Sequence, residues 1–279
     1  MVRLSIITLT YNKLEYTKKY IESLYKYTKD FELIIVDNGS TDGTVEFLKT
    51  LPDVQLILND ENLGFSKGNN QGLELAQGEY IGFLNNDILL YPNWFEECEK
   101  VFIKENAAFV GPRHINPHYD NANENTYIQF FKKNFKYNKE YEKNFDECVF
   151  SCAVTKREVL DKIGNFDENY TPAFFEDNDF KYRAVLVGYG IYVVNTACFF
   201  HFGSITSVDC DSNLEKNRNY YYSKYPFAEY LSVTGRDRDI YKRIAEDMNK
   251  FPMNIVYSVF IFARKVKNRL RKICKGIKN

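Results

Sequence analysis

The chain has 279 residues, 44% of them hydrophobic and 27% charged, which is enough apolar material for one large domain with a full core. Its formal net charge of −1 excludes a chain-wide attraction to nucleic acid. Six scattered cysteines without a CxxC pair exclude a disulfide framework, and they fit free buried thiols in a reducing cytosol.

The apolar start Leu4–Leu9 is too short for a signal peptide. No run approaches the roughly 20 apolar residues of a membrane span. Leu4–Leu9 is instead a β-branched apolar run and predicts a first strand. Leu14, Thr17, Ile21, Leu24 and Tyr25 recur with a helical period over Lys13–Tyr27. Phe31–Val36 predicts a second strand. A helix capped by Ser40 or Thr41 is expected to run to about Thr50. Val54–Leu58 predicts a third strand, followed by a helix from Phe65 to Gln77 stopped by Gly78. Tyr80–Leu84 predicts a fourth strand. Pro92-Asn93 opens a helix over Trp94–Glu105, and Ala107–Val110 predicts a fifth strand. Strands alternating with helices imply a mostly parallel sheet covered by helices, an α/β fold.

The rhythm breaks from Arg113 to Glu147, a polar, Asn-rich and aromatic stretch expected to form an irregular insertion over the site. Order resumes at Val149–Thr155, with a helix near Arg157–Ile163, a helix over Asp177–Val187 and a strand at Ile191–Val194. Helices follow over about Leu214–Tyr230 and Asp237–Asn249, and after Pro252.

Four polar clusters close the first four predicted strands. They are Thr10-Tyr11-Asn12, Asp37-Asn38-Gly39-Ser40-Thr41-Asp42, Asn62-Leu63-Gly64-Phe65-Ser66-Lys67 and Asn85-Asn86-Asp87. Each alone reads as an ordinary turn. In a parallel sheet the four ends lie side by side, at the edge where open α/β sheets bind ligands. Tyr11 could stack on a base. Asp37 could accept an imide N–H or simply cap the turn at Gly39. Lys67, at a helix start, could hold a phosphate by charge and dipole together, or be a solvated lysine. Asn85 and Asp87 suit a hard cation such as Mg²⁺ or Mn²⁺, which shares phosphate oxygens.

Two further clusters lie downstream. Phe174 and Phe175 precede Glu176-Asp177-Asn178-Asp179, and partial burial would raise a carboxyl pKa and make it a better base. The alternative is an N-cap with acids in the first helical turn. His201, before Phe202-Gly203-Ser204, could reach a metal or a diphosphate, or be structural. No G-x-G-x-x-G and no G-x-x-x-x-G-K-[ST] occurs, so dinucleotide redox and P-loop hydrolysis lose support.

Taken in order, these pieces resemble a family 2 glycosyltransferase of the GT-A fold, nearest to its rhamnosyltransferase-like branch, over about Leu4–Ser207. The resemblance implies roles. Thr10, Tyr11, Asn12, Asp37, Asn62, Gly64, Lys67, Asn85 and Asn86 would bind the nucleotide sugar. Asp87, with Asn85 where the family more often has Asp, and His201 would hold Mg²⁺ or Mn²⁺. Asp177 would be the catalytic base with Glu176 beside it. The expected activity is inverting transfer from a UDP- or dTDP-linked sugar to a hydroxyl of a cell-surface glycan or lipid-linked oligosaccharide, in polysaccharide or cell-wall synthesis. Residues 1–112 would bind the nucleotide sugar and 113–235 the acceptor.

A nucleotidyltransferase is the rival reading, but Thr10-Tyr11-Asn12-Lys13-Leu14 lacks its Gly-rich loop. A non-catalytic sugar-binding module is another; it would not need Asp87 and Asp177 together.

Residues 236–279 are expected to form a helical extension with a basic end. Arg264 to Lys278 holds eight Lys/Arg and no acid, which leaves the rest of the chain at −9. Ile255, Val259, Phe262, Val266, Leu270, Ile273 and Ile277 make one apolar stripe. Such a helix over 253–279 suits an anionic membrane surface, placing a cytoplasmic enzyme peripherally on the membrane's inner face. The alternative is that the stripe packs on its own catalytic domain or on a second subunit in a homodimer.

Overall fold

The structure is a computed structural model, and it describes residues 2–115, 128–129, 131–133, 137–203 and 210–225. The elements are β1 (Leu4–Thr10), α1 (Leu14–Tyr27), β2 (Phe31–Asp37), α2 (Thr44–Leu48), β3 (Val54–Leu58), α3 (Phe65–Leu75) and β4 (Tyr80–Leu84). They continue with β5 (Ile88–Leu90), α4 (Trp94–Lys104), β6 (Ala107–Ile115), β7 (Tyr141–Lys143) and β8 (Cys152–Lys156). Last come α5 (Arg157–Ile163), α6 (Glu176–Leu186), β9 (Gly190–His201) and α7 (Cys210–Lys224).

One sheet runs β3-β2-β1-β4-β8-β6-β9-β5, with β7 paired to β9. β3, β2, β1 and β4 are mutually parallel, so their carboxyl ends share one edge. β8 then runs antiparallel to both β4 and β6, and β6 runs parallel to β9.

Alternation along the strands builds two cores. Leu4 and Ile6 of β1, Leu33 and Ile35 of β2, and Tyr80 and Leu84 of β4 face α1 and α4. Ile7, Ile34, Ile81 and Phe83 face α3, α5 and α6. Both faces are buried, which is why these strands read as continuous apolar runs. On the first face Trp94 is fully buried, and its indole N–H donates to Thr28 Oγ1 at 2.9 Å. On the second, Phe83, Phe109, Phe150, Phe166 and Phe180 meet through tilted, edge-on and stacked ring contacts. Gly72 lets α3 lie close on β1, because a Cβ there would stand 2.5 Å from Ile7 Cγ2.

Several boundaries differ from the sequence pattern. α2 starts at Thr44, not at Ser40 or Thr41; Asp42 Oδ1 accepts from the Thr44 amide and hydroxyl at 3.1 and 2.6 Å. α3 ends at Leu75, short of Gln77. Arg113–Ile115, expected in the irregular insertion, extend β6, and Tyr141–Lys143 form β7. β9 runs on to His201, well beyond Val194. The helices expected over Asp237–Asn249 and after Pro252, with the basic amphipathic stripe, lie outside the described residues.

Candidate active site

The four parallel strand ends bring the four polar clusters to one edge. Thr10 and Asp37 are register partners across β1 and β2, and Thr10 Oγ1 donates to Asp37 Oδ2 at 2.7 Å. Ser40 donates to the same carboxylate twice, from its amide at 2.8 Å and its hydroxyl at 2.6 Å. Asp37 is 1% exposed. A carboxylate offers about four lone-pair sites, so these three bonds leave one. The β1 and β2 turns are stitched to each other. The Asn12 amide donates to Ser40 Oγ at 2.7 Å and the Thr41 amide to Asn12 Oδ1 at 2.8 Å. Asn12 and Lys13 adopt left-handed φ of 56° and 67°, and Tyr11 between strand and turn is half-exposed.

The third cluster opens α3. Asn62 Oδ1 accepts from the Gly64 amide at 2.9 Å, and Gly64 takes φ 84°. Lys67 is exposed in the first turn and makes no ion pair among the described residues. At the fourth cluster Asn85 contacts Ser151 through its amide N–H to the carbonyl at 3.0 Å and its side chain to Oγ at 3.5 Å. Asn86 is buried, with its side-chain amide donating to Thr17 Oγ1 of α1 at 3.0 Å.

The short β5 completes the fourth cluster. Ile88 pairs with His201 across β5 and β9. That register sets His201 Nε2 3.1 Å from Asp87 Oδ1, and the Phe202 amide donates to the Asp87 carbonyl at 3.0 Å. Cis donors on an octahedral ion with bonds of about 2.1 Å stand about 3 Å apart, and these two atoms already do. No group of three or more His, Cys, Asp or Glu that could hold a metal exists among the described residues. Asp87 and His201, with the Asn85 amide on the same turn, fit an ion that takes its remaining positions from phosphate and water. Sequence reasoning missed His114, whose ring lies 5.5 Å from that of His201. Its Nε2 is buried without a partner; burial, then His201, pushes its pKa down to about 4, so it is neutral.

The carboxylates after Phe175 sit at the amino end of α6. Phe174 and Phe175 hold left-handed φ of 81° and 71°, a conformation that persists for bulky residues only where surroundings over-determine it. Here two neighbours do so. The Phe65 amide donates to Pro172 O at 2.7 Å, and Asn217 of α7 donates to Ala173 O at 2.7 Å. The loop thus joins the start of α3 to the start of α6. Glu176 is 6% exposed and its Oε2 is buried without a partner. Burial, then the Asp177 charge, pushes its carboxyl up to about 8. Asp177 is more open, with its side chain 25% exposed and its Oδ1 accepting from the Asn178 amide at 2.7 Å. Asp179 turns away into a cluster with Arg183, Lys224 and Tyr225.

A match to Glycosyl transferase family 2 spans residues 5–164, more than half the chain. The chain belongs to that family. An uncharacterized glycosyltransferase of Rickettsia felis is 29% identical over 174 residues, which are 61% of this chain and 27% of that protein. The chondroitin synthase of Pasteurella multocida is 33% identical over 121 residues, 40% of this chain and 12% of that protein. The chain therefore spans about a quarter or less of the length of these two relatives. Among solved structures, S. aureus TarS 1–349 superposes with a TM-score of 0.57 at 18% identity, covering 84% of this chain and 75% of that one. GalNAc-T7 with UDP, GalNAc and Mn²⁺ superposes with a TM-score of 0.60 at 16% identity, covering 89% and 55%. The family 2 member described here thus has the GT-A glycosyltransferase fold, as its motifs implied. Its matched span holds the first four clusters, while Glu176, Asp177 and His201 lie beyond residue 164.

Proposed function

We propose that this protein transfers a sugar, with inversion, from a UDP- or dTDP-linked donor to a hydroxyl of a cell-surface glycan or lipid-linked oligosaccharide. The observation that carries the reading is the Asp87–His201 pair, set at the edge where β1, β2, β3 and β4 all end. The UDP and Mn²⁺ of the GalNAc-T7 structure support a nucleotide-sugar donor and a divalent ion.

Residues 1–112 hold the donor in this reading. Asp37, fixed by Thr10 and Ser40, accepts from the base beside Tyr11 and Asn12. Lys67 neutralises ribose-phosphate charge at the α3 amino end, where Asn62 and Gly64 shape the turn. Asp87, His201 and Asn85 are the residues that would hold Mg²⁺ or Mn²⁺, with Asn86 fixing their turn against α1. When bound, such an ion acts as a Lewis acid that stabilises the departing diphosphate.

Asp177 takes the proton of the acceptor hydroxyl. The acceptor oxygen then bonds to the anomeric carbon from the face opposite the breaking bond to the diphosphate oxygen. The sugar passes through an oxocarbenium-like state, and one displacement inverts the centre. Glu176, raised to about 8 by burial and the Asp177 charge, keeps its own proton at neutral pH and so does not compete with Asp177 as the base.

No helix among the described residues is long and apolar enough to cross a membrane. The basic stripe of residues 253–279 holds the enzyme on an anionic inner membrane face, where a lipid-linked acceptor would be met.

The test is a screen of UDP- and dTDP-sugars with Mn²⁺, read by thermal shift and by release of free nucleoside diphosphate. A binding module gives a shift without release; a nucleotidyltransferase also gives no nucleoside diphosphate but, when pyrophosphate is added, turns the nucleotide sugar into sugar 1-phosphate and a nucleoside triphosphate. Either result overturns the proposal.

A further inference from the structure

Lys181 is a buried lysine. It is 2% exposed on α6, and a buried cation is costly unless it is paired and hydrogen-bonded. An ammonium has three N–H donors. Two meet the carbonyls of Phe145 and Cys148, each at 3.1 Å. The Phe145 ring covers the group, with its centroid 4.8 Å away. Among the described residues its ion-pair partner is Asp177, whose Oδ2 lies 3.4 Å from Nζ, one helical turn back.

Asp177 is thereby held at both oxygens, Oδ1 by the Asn178 amide and Oδ2 by Lys181, while part of its side chain stays open. Lys181 makes no ion pair with the neighbouring Glu176; its charge lowers that carboxyl, but burial and the Asp177 charge outweigh it, and the Glu176 Oε2 has no hydrogen-bond partner. Among the described residues, the titratable groups that interact with Asp177 are Glu176 and Lys181 of its own helix and the Cys148 thiol of the segment beneath. Burial pushes that thiol up to about 12, so it is neutral and carries no charge into the site.

We propose that Lys181 is a positioning residue: it fixes the Asp177 carboxylate and decides which of two adjacent carboxyls carries the negative charge. This rests on the reading of Asp177 as the base. Without the ammonium, burial still favours the proton on Glu176, but the charge that holds Asp177 ionised is gone, and the proton is shared more evenly between the two carboxyls.

The experiment uses the full chain and the donor sugar from which wild type releases most nucleoside diphosphate. Lys181→Met keeps the length of the stem and removes the charge. It is expected to move the acid limb of the kcat/KM–pH profile upward by at least about one unit, hence a loss of about tenfold on that limb. Donor KM is expected to stay within about twofold, and Lys181→Arg to bring the limb back toward wild type. Combining Lys181→Met with Asp177→Asn is expected to lose no more than Asp177→Asn alone, because the two act as a unit.

A purely structural lysine would lower the melting temperature and leave the limb in place; that result in a folded Lys181→Met or Lys181→Gln overturns the proposal. Should neither fold, Asp177→Asn decides it. Loss of the partner leaves a buried ammonium, so this variant is expected to melt below wild type at pH 7, with the deficit shrinking toward pH 10. An unchanged melt overturns the pairing. If Asp177→Asn keeps wild-type turnover, the base assignment itself falls. If Asp177→Asn is inactive and the Lys181 variants keep a wild-type profile, only the role of Lys181 falls.

Discussion

The Phe65 amide donates to the carbonyl of Pro172 at 2.7 Å, and this bond joins the start of α3 to the loop that leads to Asp177, the proposed base. Gly64 makes the approach possible. A Cβ there would stand 2.7 Å from the same carbonyl oxygen, on a residue already at φ 84°. Gly64→Ala is therefore expected to lose about 1–3 kcal/mol of stability through strain and displacement of the loop. Thermal melting read together with donor KM checks this, since both should worsen. A variant that melts and binds like wild type would show that the loop does not depend on this contact.

Asp87 and His201 are brought together by a pairing of only three residues, Ile88–Leu90 with Phe199–His201. Asp87→Ala and His201→Ala are each expected to reduce the extra thermal stabilisation that Mn²⁺ gives in the presence of UDP. Ligand binding to the native state raises its stability, so the melting shift reports the site without requiring turnover. Metal-dependent donor turnover should vanish in Asp87→Ala and in wild type with EDTA. Full activity of wild type in EDTA would remove the metal from the account.

The same pairing marks what the sequence could and could not show. β1, β2 and β4 were legible because apolar runs buried on both faces end abruptly in polar residues, as Ile81–Asp87 does. Their order on one edge followed from the alternation of strand and helix. β5 was not legible: three apolar residues, Ile88–Leu90, carry no period and pass for the approach to α4. Its pairing with β9 exists only through contacts made 109 to 113 residues along the chain, as for Leu89 and Phe200. Lys181 was hidden for a different reason. On sequence it is one more charge on a charged helix, and only the packing of Phe145 and Cys148 over it shows that it is buried.

Glu176 gives a pH dependence of stability with a definite sign. Its folded pKa is raised from 4.5 to about 8, so the folded state resists its ionisation. The contribution is fully present below about 4.5 and is lost as pH rises through about 8. Glu176→Gln, which cannot ionise, is expected to gain on wild type across that window, by a few kcal/mol at most. Melting curves at pH 5 and pH 8.5 measure it. A difference between the two proteins that does not change with pH would contradict the burial of an ionisable carboxyl there.

The C-terminal stripe makes a separate prediction. Each Lys or Arg near an anionic surface is worth about 1 kcal/mol, and eight lie between Arg264 and Lys278. The full chain is expected to sediment with phosphatidylglycerol vesicles in low salt and to release at high salt. A chain ending at Phe251 is expected to stay in solution. Equal behaviour of the two would leave packing on protein as the role of the stripe.

The most direct test of the central claim, that Asp177 is the base of a nucleotide-sugar transferase, compares wild type with Asp177→Asn. The measurement is release of nucleoside diphosphate from the preferred donor with Mn²⁺, alongside donor affinity by titration. Loss of a general base costs on the order of 10²–10⁴-fold in rate, so turnover is expected to fall by that factor while donor affinity stays within about twofold. Turnover within about twofold of wild type would contradict the account.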